Sequence, residues 1–380
     1  MLNKSVNVLY DRILLWLILG LIFTGIVMVA STSMLVGSRL LGDPFYFVKR
    51  NMLYVGLSFL ISLFLLRTPV FRWHRYSLIL LLVSFVLLIV VLLFGNTVHG
   101  SSRWLSFGWL SIQPAELSKL SLFCYLSSYF SYKFKNGCFD FYVFCKPILI
   151  MLSICLLVLV QPDFGSAVVI FATTLGILFI ASIRLRKFFL FVFVSVFIVV
   201  GLILIEPYRI ERIFSFWNPW QDPFGSGYQL TQSLMAFGRG KLWGRGLGNS
   251  IQKMEYLPEA HTDFIFAIIA EEFGYCGAFL VLLMIFSVVF RALAISRHAF
   301  RLNMFFSGFL SCAIGIWFSF QTIVNVGVTV GLLPTKGLTF PFISYGGSSF
   351  MVLFCAVILL LRIDFELRIS ELQAFAKGLV

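Results

Sequence analysis

Leu257-Pro258-Glu259-Ala260-His261-Thr262-Asp263 runs without a break into Phe264-Ile265-Phe266-Ala267-Ile268-Ile269-Ala270. Three ionisable side chains thus meet an apolar helix within seven residues. The polar side of this junction is long. Residues 207–262 hold six basic and four acidic side chains, three Trp and seven Gly. A bilayer interior offers backbone polar groups no water and tolerates few charges. A polar stretch of this length between apolar segments therefore belongs outside the hydrocarbon, and it is where chemistry would be placed.

The rest of the 380-residue chain reads as membrane. It is 60% hydrophobic, 17% aromatic and only 12% charged, against about a quarter charged in soluble domains. The net charge of +13 does not signal nucleic acid, because basic residues of membrane proteins mark cytoplasmic loops. Seven Cys, an odd number without CxxC spacing, lie mostly in apolar segments, and four scattered His form no cluster. Neither a disulfide framework nor a zinc site is expected. Lys4 and Arg12 precede an apolar run too long for a signal-peptide core, so the first helix is read as uncleaved.

Spanning takes roughly 20 residues. Apolar segments fall at 13–33, 51–66, 77–95, 114–132, 147–161, 165–182, 187–206, 264–290, 303–332 and 346–362. The expected fold is an all-α integral membrane domain, residues 1–380, of about ten transmembrane helices. A large extracytoplasmic loop, 207–262, lies between helices 7 and 8. With the N-terminus inside, 17 basic residues fall on the inner side against 11 outside, six of them in the long loop. Both termini are therefore expected to be cytoplasmic, with the polar loop outward. Tyr228–Phe237 within it is expected to form a short interfacial helix. No internal repeat of the kind found in secondary transporters is evident.

Acids in membranes are costly, which draws attention to Glu116, Asp163, Glu206, Asp263, Glu271 and Glu272. Asp263 reads two ways, as a helix N-terminal acid meeting the macrodipole or as a general base in a part-desolvated cleft. At 100° per residue Glu272 points away from Asp263, and Glu271 only partly toward it, so a paired-carboxylate mechanism is not the natural reading. Glu116 and Lys119 can pair at i, i+3, either to neutralise each other between helices or to floor an outward cavity. Arg50, Arg103, Arg209, Arg212, Arg239 and Lys336 are outward cations; they suit phosphate oxygens or snorkel to lipid headgroups. Trp104, beside Arg103, fits an interfacial belt. The glycines of 238–248 lack the Gly-Lys-Ser/Thr of a nucleotide loop. An outward enzyme without nucleotide needs an activated donor, and outward cations, apolar walls and one acid suit a lipid-diphosphate sugar.

The motifs carry a resemblance. Gly100–Trp104, Gln113–Lys119, Gln161–Gly165, Glu206–Ile210, Phe216–Met235, Ala236–Ser250, Glu255–Glu272 and Leu332–Ser349 resemble the SEDS family (shape, elongation, division and sporulation), on its cell-division branch. The likeness covers nearly the whole chain. It implies a ten-helix peptidoglycan glycosyltransferase that polymerises lipid II at the division septum of the bacterial cytoplasmic membrane. It further implies that Asp263 deprotonates the acceptor, that Trp104, Glu116 and Lys119 line the cavity, and that Arg50, Arg103, Arg212 and Lys336 hold diphosphate. A class B penicillin-binding protein and other membrane proteins of the division machinery are the implied partners. A divalent cation, magnesium or manganese, stays open. The tail before the first helix is about 12 residues, so contacts made through a longer tail are not expected. Two other readings stay open: a lipid II flippase and a non-catalytic division scaffold.

Overall fold

The computed structural model describes residues 10–98, 101–108, 110–136, 141–181, 193, 216–225, 227–334 and 337–376. Six helices precede the polar loop: α1 (Arg12–Leu41), α2 (Tyr46–Arg67), α3 (Val70–Phe94), α4 (Pro114–Lys135), α5 (Phe141–Val160) and α6 (Phe164–Ile180). One lies within it, α7 (Tyr228–Gly240), and three follow: α8 (Ile265–Arg301), α9 (Phe305–Thr329) and α10 (Gly347–Ala376). The all-α integral membrane reading holds. Nine of the ten expected spans have their helix here, and the seventh, 187–206, lies outside the described residues except for 193. By length and composition α1, α2, α3, α5, α8 and α9 can cross a membrane, and α6 is apolar but shorter.

Local chemistry sets the helix ends. Asp11 Oδ1 accepts from the amides of Ile13 and Leu14 at 3.0 and 3.1 Å, which caps α1. Gly42, at φ 70°, closes it by donating to Ser38 O. Asp163 caps α6 through Ser166 N. At one end of the bundle Asp11 pairs with Arg291 of α8 at 3.1 Å, and His298 with Glu371 of α10. The first and last described helices therefore begin and end on the same side. α10 runs past the expected 346–362, because Arg362–Glu366 and Asp364–Arg368 pair at i, i+4 and carry the helix beyond its apolar part.

At the opposite end the sequence reading missed a small antiparallel meander. β1 (Asn96–Val98), β2 (Ser101–Phe107) and β3 (Leu110–Ile112) lie in that order, with Thr97 opposite Ser102 and Leu105 opposite Ile112. It holds Arg103 and Ser111 over the ends of α2 and α5. Abundant Phe rings serve helix contacts in the core, such as Phe123 against Trp317 at 5.6 Å and Phe130 against Phe309 at 5.9 Å.

α8 is broken at Gly274 (φ 71°, ψ −172°), a backbone region essentially confined to glycine. Polar groups freed there need partners in a dry setting, and the 241–246 segment supplies them. Arg245 N and Gly246 N donate to Glu271 O and Glu272 O at 3.0 and 2.9 Å; Tyr275 N and Cys276 N donate to Lys241 O and Leu242 O at 2.9 and 3.2 Å. Backbone lies on backbone: a Cβ on Gly240 would collide with Ala270 O, and one on Gly244 with Glu272 O. The glycines of this stretch thus serve close packing on α8. α7 is buried against α8 and α9 through Phe237, beside Phe266, and through Ser233, whose hydroxyl donates to Thr329 O at 2.7 Å.

The two acids next to the break anchor the loop. Glu271 accepts from Ser250 Oγ and from the amides of Ile251 and Gln252. Glu272 Oε1 is 2.7 Å from Lys253 Nζ and 2.8 Å from Ser31 Oγ of α1. Removing one partner of a buried ion pair costs about 3–5 kcal/mol, whereas replacing both by apolar groups is often neutral. Glu272→Ala is therefore expected to lower stability by that amount in thermal unfolding of the detergent-solubilised protein. Glu272→Leu combined with Lys253→Met should recover most of the loss.

Candidate active site

Asp263 sits in the turn 259–264, one residue before the N-cap of α8. Glu259, at φ 55°, starts the turn, and its carbonyl accepts from Thr262 N and Phe264 N. Two other elements hold it. From α9, Asn325 Nδ2 donates to Asp263 O at 3.0 Å and also to Leu338 O, while Gln321, one turn away, donates to Thr339 O at 3.0 Å. From the segment before α10, Ser344 Oγ donates to Thr262 O and Tyr345 N to His261 O. Gly337 lies against the carboxylate, where a Cβ would stand 2.7 Å from Asp263 Oδ2. Only a residue without a side chain leaves that oxygen its space.

The electrostatics are unusual for an aspartate. Asp263 keeps part of its surface exposed, yet the protein packed around it, reinforced by Glu259 and Asp163 and opposed by Arg103, pushes its carboxyl up to about 7. Burial lowers His261, against the opposing pull of Glu259, and so favours a neutral imidazole. The His261 ring packs 5.2 Å from Phe47 and 5.8 Å from Tyr345.

The other expected site residues separate into groups. Arg103, on β2, donates through Nε to Gln161 O at 3.0 Å and through Nη2 to Pro162 O. It thereby ties the meander to the α5–α6 turn, and its charge acts on Asp263. Trp104 follows on the same strand, half-buried. Arg50, in the first turn of α2, donates to Ser111 Oγ at 3.2 Å and lies beside Tyr54 and Tyr345. Arg50, Arg103, Trp104 and Asp263 thus share one end of the bundle. Glu116 and Lys119 form a buried ion pair at 2.7 Å, with Lys119 Nζ 5.6 Å from the Trp317 ring centroid, which places them among packed helices. Arg212 and Lys336 lie outside the described residues.

Sequence reasoning missed Asn325 and Ser344. The signal available was the i, i+4 pair Gln321 and Asn325 on an otherwise apolar helix. Among the described residues no three His, Cys, Asp or Glu side chains converge on a metal position. Near Asp263, Asp163 is committed to Ser166 N and Gln113 Nε2, and Glu259 Oε2 accepts from Thr262 Oγ1 at 2.6 Å. These two carboxylates are thus already engaged by hydrogen-bond donors.

A polytopic membrane protein with one desolvated carboxylate among arginines at one end of its bundle is the class that fold and site define. The chain belongs to the FtsW/RodA/SpoVE family of cell cycle proteins, the SEDS family, whose model matches residues 12–369. It is 56% identical over 371 residues to the probable peptidoglycan glycosyltransferase FtsW of Escherichia coli O6:H1, covering 98% of this chain and 90% of that one. The corresponding protein of Buchnera aphidicola from Acyrthosiphon pisum is 53% identical over 376 residues, covering 99% and 94%. A solved peptidoglycan synthase complex that coordinates polymerization and crosslinking matches with TM-score 0.75 and 27% identity, covering 94% of this chain and 98% of that one. The rod shape determining protein RodA of Thermus thermophilus matches with TM-score 0.69 and 25% identity, covering 93% and 96%.

An acid raised from 3.8 to about 7 opposes folding once the unfolded chain ionises and the folded one does not. Relative to a neutral residue, the penalty is absent below about pH 4, grows between 4 and 7 and is constant above. Asp263→Asn is therefore expected to stabilise the protein by about 2–4 kcal/mol at pH 8 and by nothing near pH 4. Thermal unfolding across that range checks it; a gain independent of pH would contradict the desolvated carboxyl.

Proposed function

We propose that this protein is a peptidoglycan glycosyltransferase that polymerises lipid II into β-1,4 glycan strands during cell division. The observation that carries the reading is the Asp263 carboxyl, pushed up to about 7, with Arg50 and Arg103 on the same end of the bundle. Near neutral pH such a group is about half ionised, and its ionised form is a stronger base than an ordinary carboxylate.

Asp263 takes the proton from the 4-hydroxyl of the acceptor GlcNAc. That oxygen forms a bond to C1 of the donor MurNAc as the bond from C1 to the phosphate oxygen breaks. Undecaprenyl diphosphate leaves with the electron pair, and C1 inverts to the β configuration. A diphosphate is a weak base and departs without a proton donor, so one carboxylate suffices where glycosidases use two. Cations stabilise the charge that develops on the leaving group. Arg50 and Arg103 serve this role, and by the family likeness Arg212 and Lys336 share it; Trp104 walls the substrate path, and the Glu116–Lys119 pair supports it from within the bundle.

The whole chain acts as a single membrane domain, with 207–262 contributing part of the active site from the extracytoplasmic side. Both termini are cytoplasmic, in line with the 17 basic residues on that side. The partner is a class B penicillin-binding protein, which crosslinks the strands at the septum together with other division proteins.

Loss of a general base costs typically 10²–10⁴-fold. Asp263→Ala, reconstituted with its partner and lipid II, is expected to lose strand formation by at least about 10²-fold while remaining folded. Strands forming at the normal rate would reject the polymerase. Lipid II crossing the bilayer in the same vesicles, without strands from the wild type, would favour the flippase.

A further inference from the structure

Lys241-Leu242-Trp243-Gly244-Arg245 is fixed to the α8 break by its backbone, yet its side chains point outward. Leu242 and Trp243 are 62% and 82% exposed, and Lys241 and Arg245 are exposed as well. Together with Arg239 and Gly240 this loop lines an open cavity of about 280 Å³. Three cations therefore converge on one hollow. The acid facing them, Glu271, is buried 4.0 Å from Arg239 and already accepts from the 250–252 segment. Arg245 Nε donates to Arg239 O at 3.0 Å, which ties the Arg245 side chain to the Arg239 backbone.

The depth of this hollow follows from α8. Between Glu272 and Arg291 the helix carries 18 residues with no charge. At 1.5 Å per residue they span about 27 Å, close to the roughly 30 Å of a hydrocarbon core. The inner limit is marked by the Arg291–Asp11 pair. The outer limit is the break at Gly274, where the loop is attached. The exposed side chains of Phe273 and Tyr275 continue an aromatic rim at that level. A mostly exposed Trp beside an exposed Leu is anomalous in water and ordinary at a headgroup boundary, where basic residues meet anionic lipid.

We propose that the Arg239–Arg245 loop is a binding site for the phosphate of an anionic phospholipid in the outer leaflet. Arg239, Lys241 and Arg245 surround the phosphate, and Leu242 and Trp243 insert into the interface beneath it. The loop is rigid because four backbone hydrogen bonds tie it to α8. Lipid bound there fixes the height of α8, and with it the Asp263 turn, above the acyl chains.

The test uses the full-length protein reconstituted in phosphatidylcholine vesicles with spin-labelled phosphatidylglycerol or phosphatidylcholine. The wild type is expected to prefer phosphatidylglycerol by roughly tenfold or more at low salt, and less as salt rises. Arg239→Gln/Lys241→Gln/Arg245→Gln should bring the ratio to about one while its thermal unfolding matches the wild type. Leu242→Ser/Trp243→Ser should weaken association of both labels. Excess inorganic phosphate should leave the preference in place. An unchanged ratio in the triple variant, or its abolition by inorganic phosphate, would overturn the proposal. The readout is lipid association, so it stands or falls independently of strand formation.

Discussion

Glu271 and Glu272 are two carboxylates in the wall of an apolar helix, and much of the outer half of the molecule is built around satisfying them. Both are buried by the surrounding protein, so the chain supplies partners itself. Lys253 and Ser31 converge on Glu272, and the 250–252 segment folds onto Glu271. The same demand explains the break at Gly274, whose neighbouring backbone groups are paired with 241–246. The polar loop is thereby fastened to α8 and α1 before it reaches the 259–264 turn.

Asp263 is then held between two attachments. Below it the loop is anchored by the buried Lys253–Glu272 pair and by Glu271; beside it α9 and the segment before α10 bond to the backbone of residues 261–263. The side chain itself is left to the chemistry. Among the described residues the acids divide by role: Glu116 and Glu272 are ion-paired and Glu271 is held by the 250–252 segment, whereas Asp263 has no cation bonded to it. A raised carboxyl is the consequence, and it suits a base that works near neutral pH. Gly337 preserves the space around the oxygen that would take the proton.

Much of this was legible in the sequence. The apolar segments give the helices because spanning length and the absence of charge leave few alternatives. Helical geometry separated Asp263 from Glu272, and the structure keeps them apart in function as well. Tyr228–Phe237 was legible as a helix from its periodicity. Its burial was not, because burial depends on α8 and α9, which arrive from later in the chain. The meander at 96–112 was hidden by its short strands, and the break in α8 by an isolated glycine in an apolar run. The glycines of 238–248 hint at phosphate by pattern, while their placement follows from backbone contact with residues 270–276. Asn325 was invisible as a clamp, since its partners are carbonyls 62 and 13 residues away.

The central claim is that one desolvated carboxylate, Asp263, does the proton transfer. The pH dependence of strand formation by the reconstituted wild-type protein, at saturating lipid II, tests it most directly. The rate should rise with pH through a single ionisation near 7, as the carboxyl raised to about that value becomes able to accept a proton. A profile that is already flat above pH 5, as an ordinary carboxylate would give, contradicts the account.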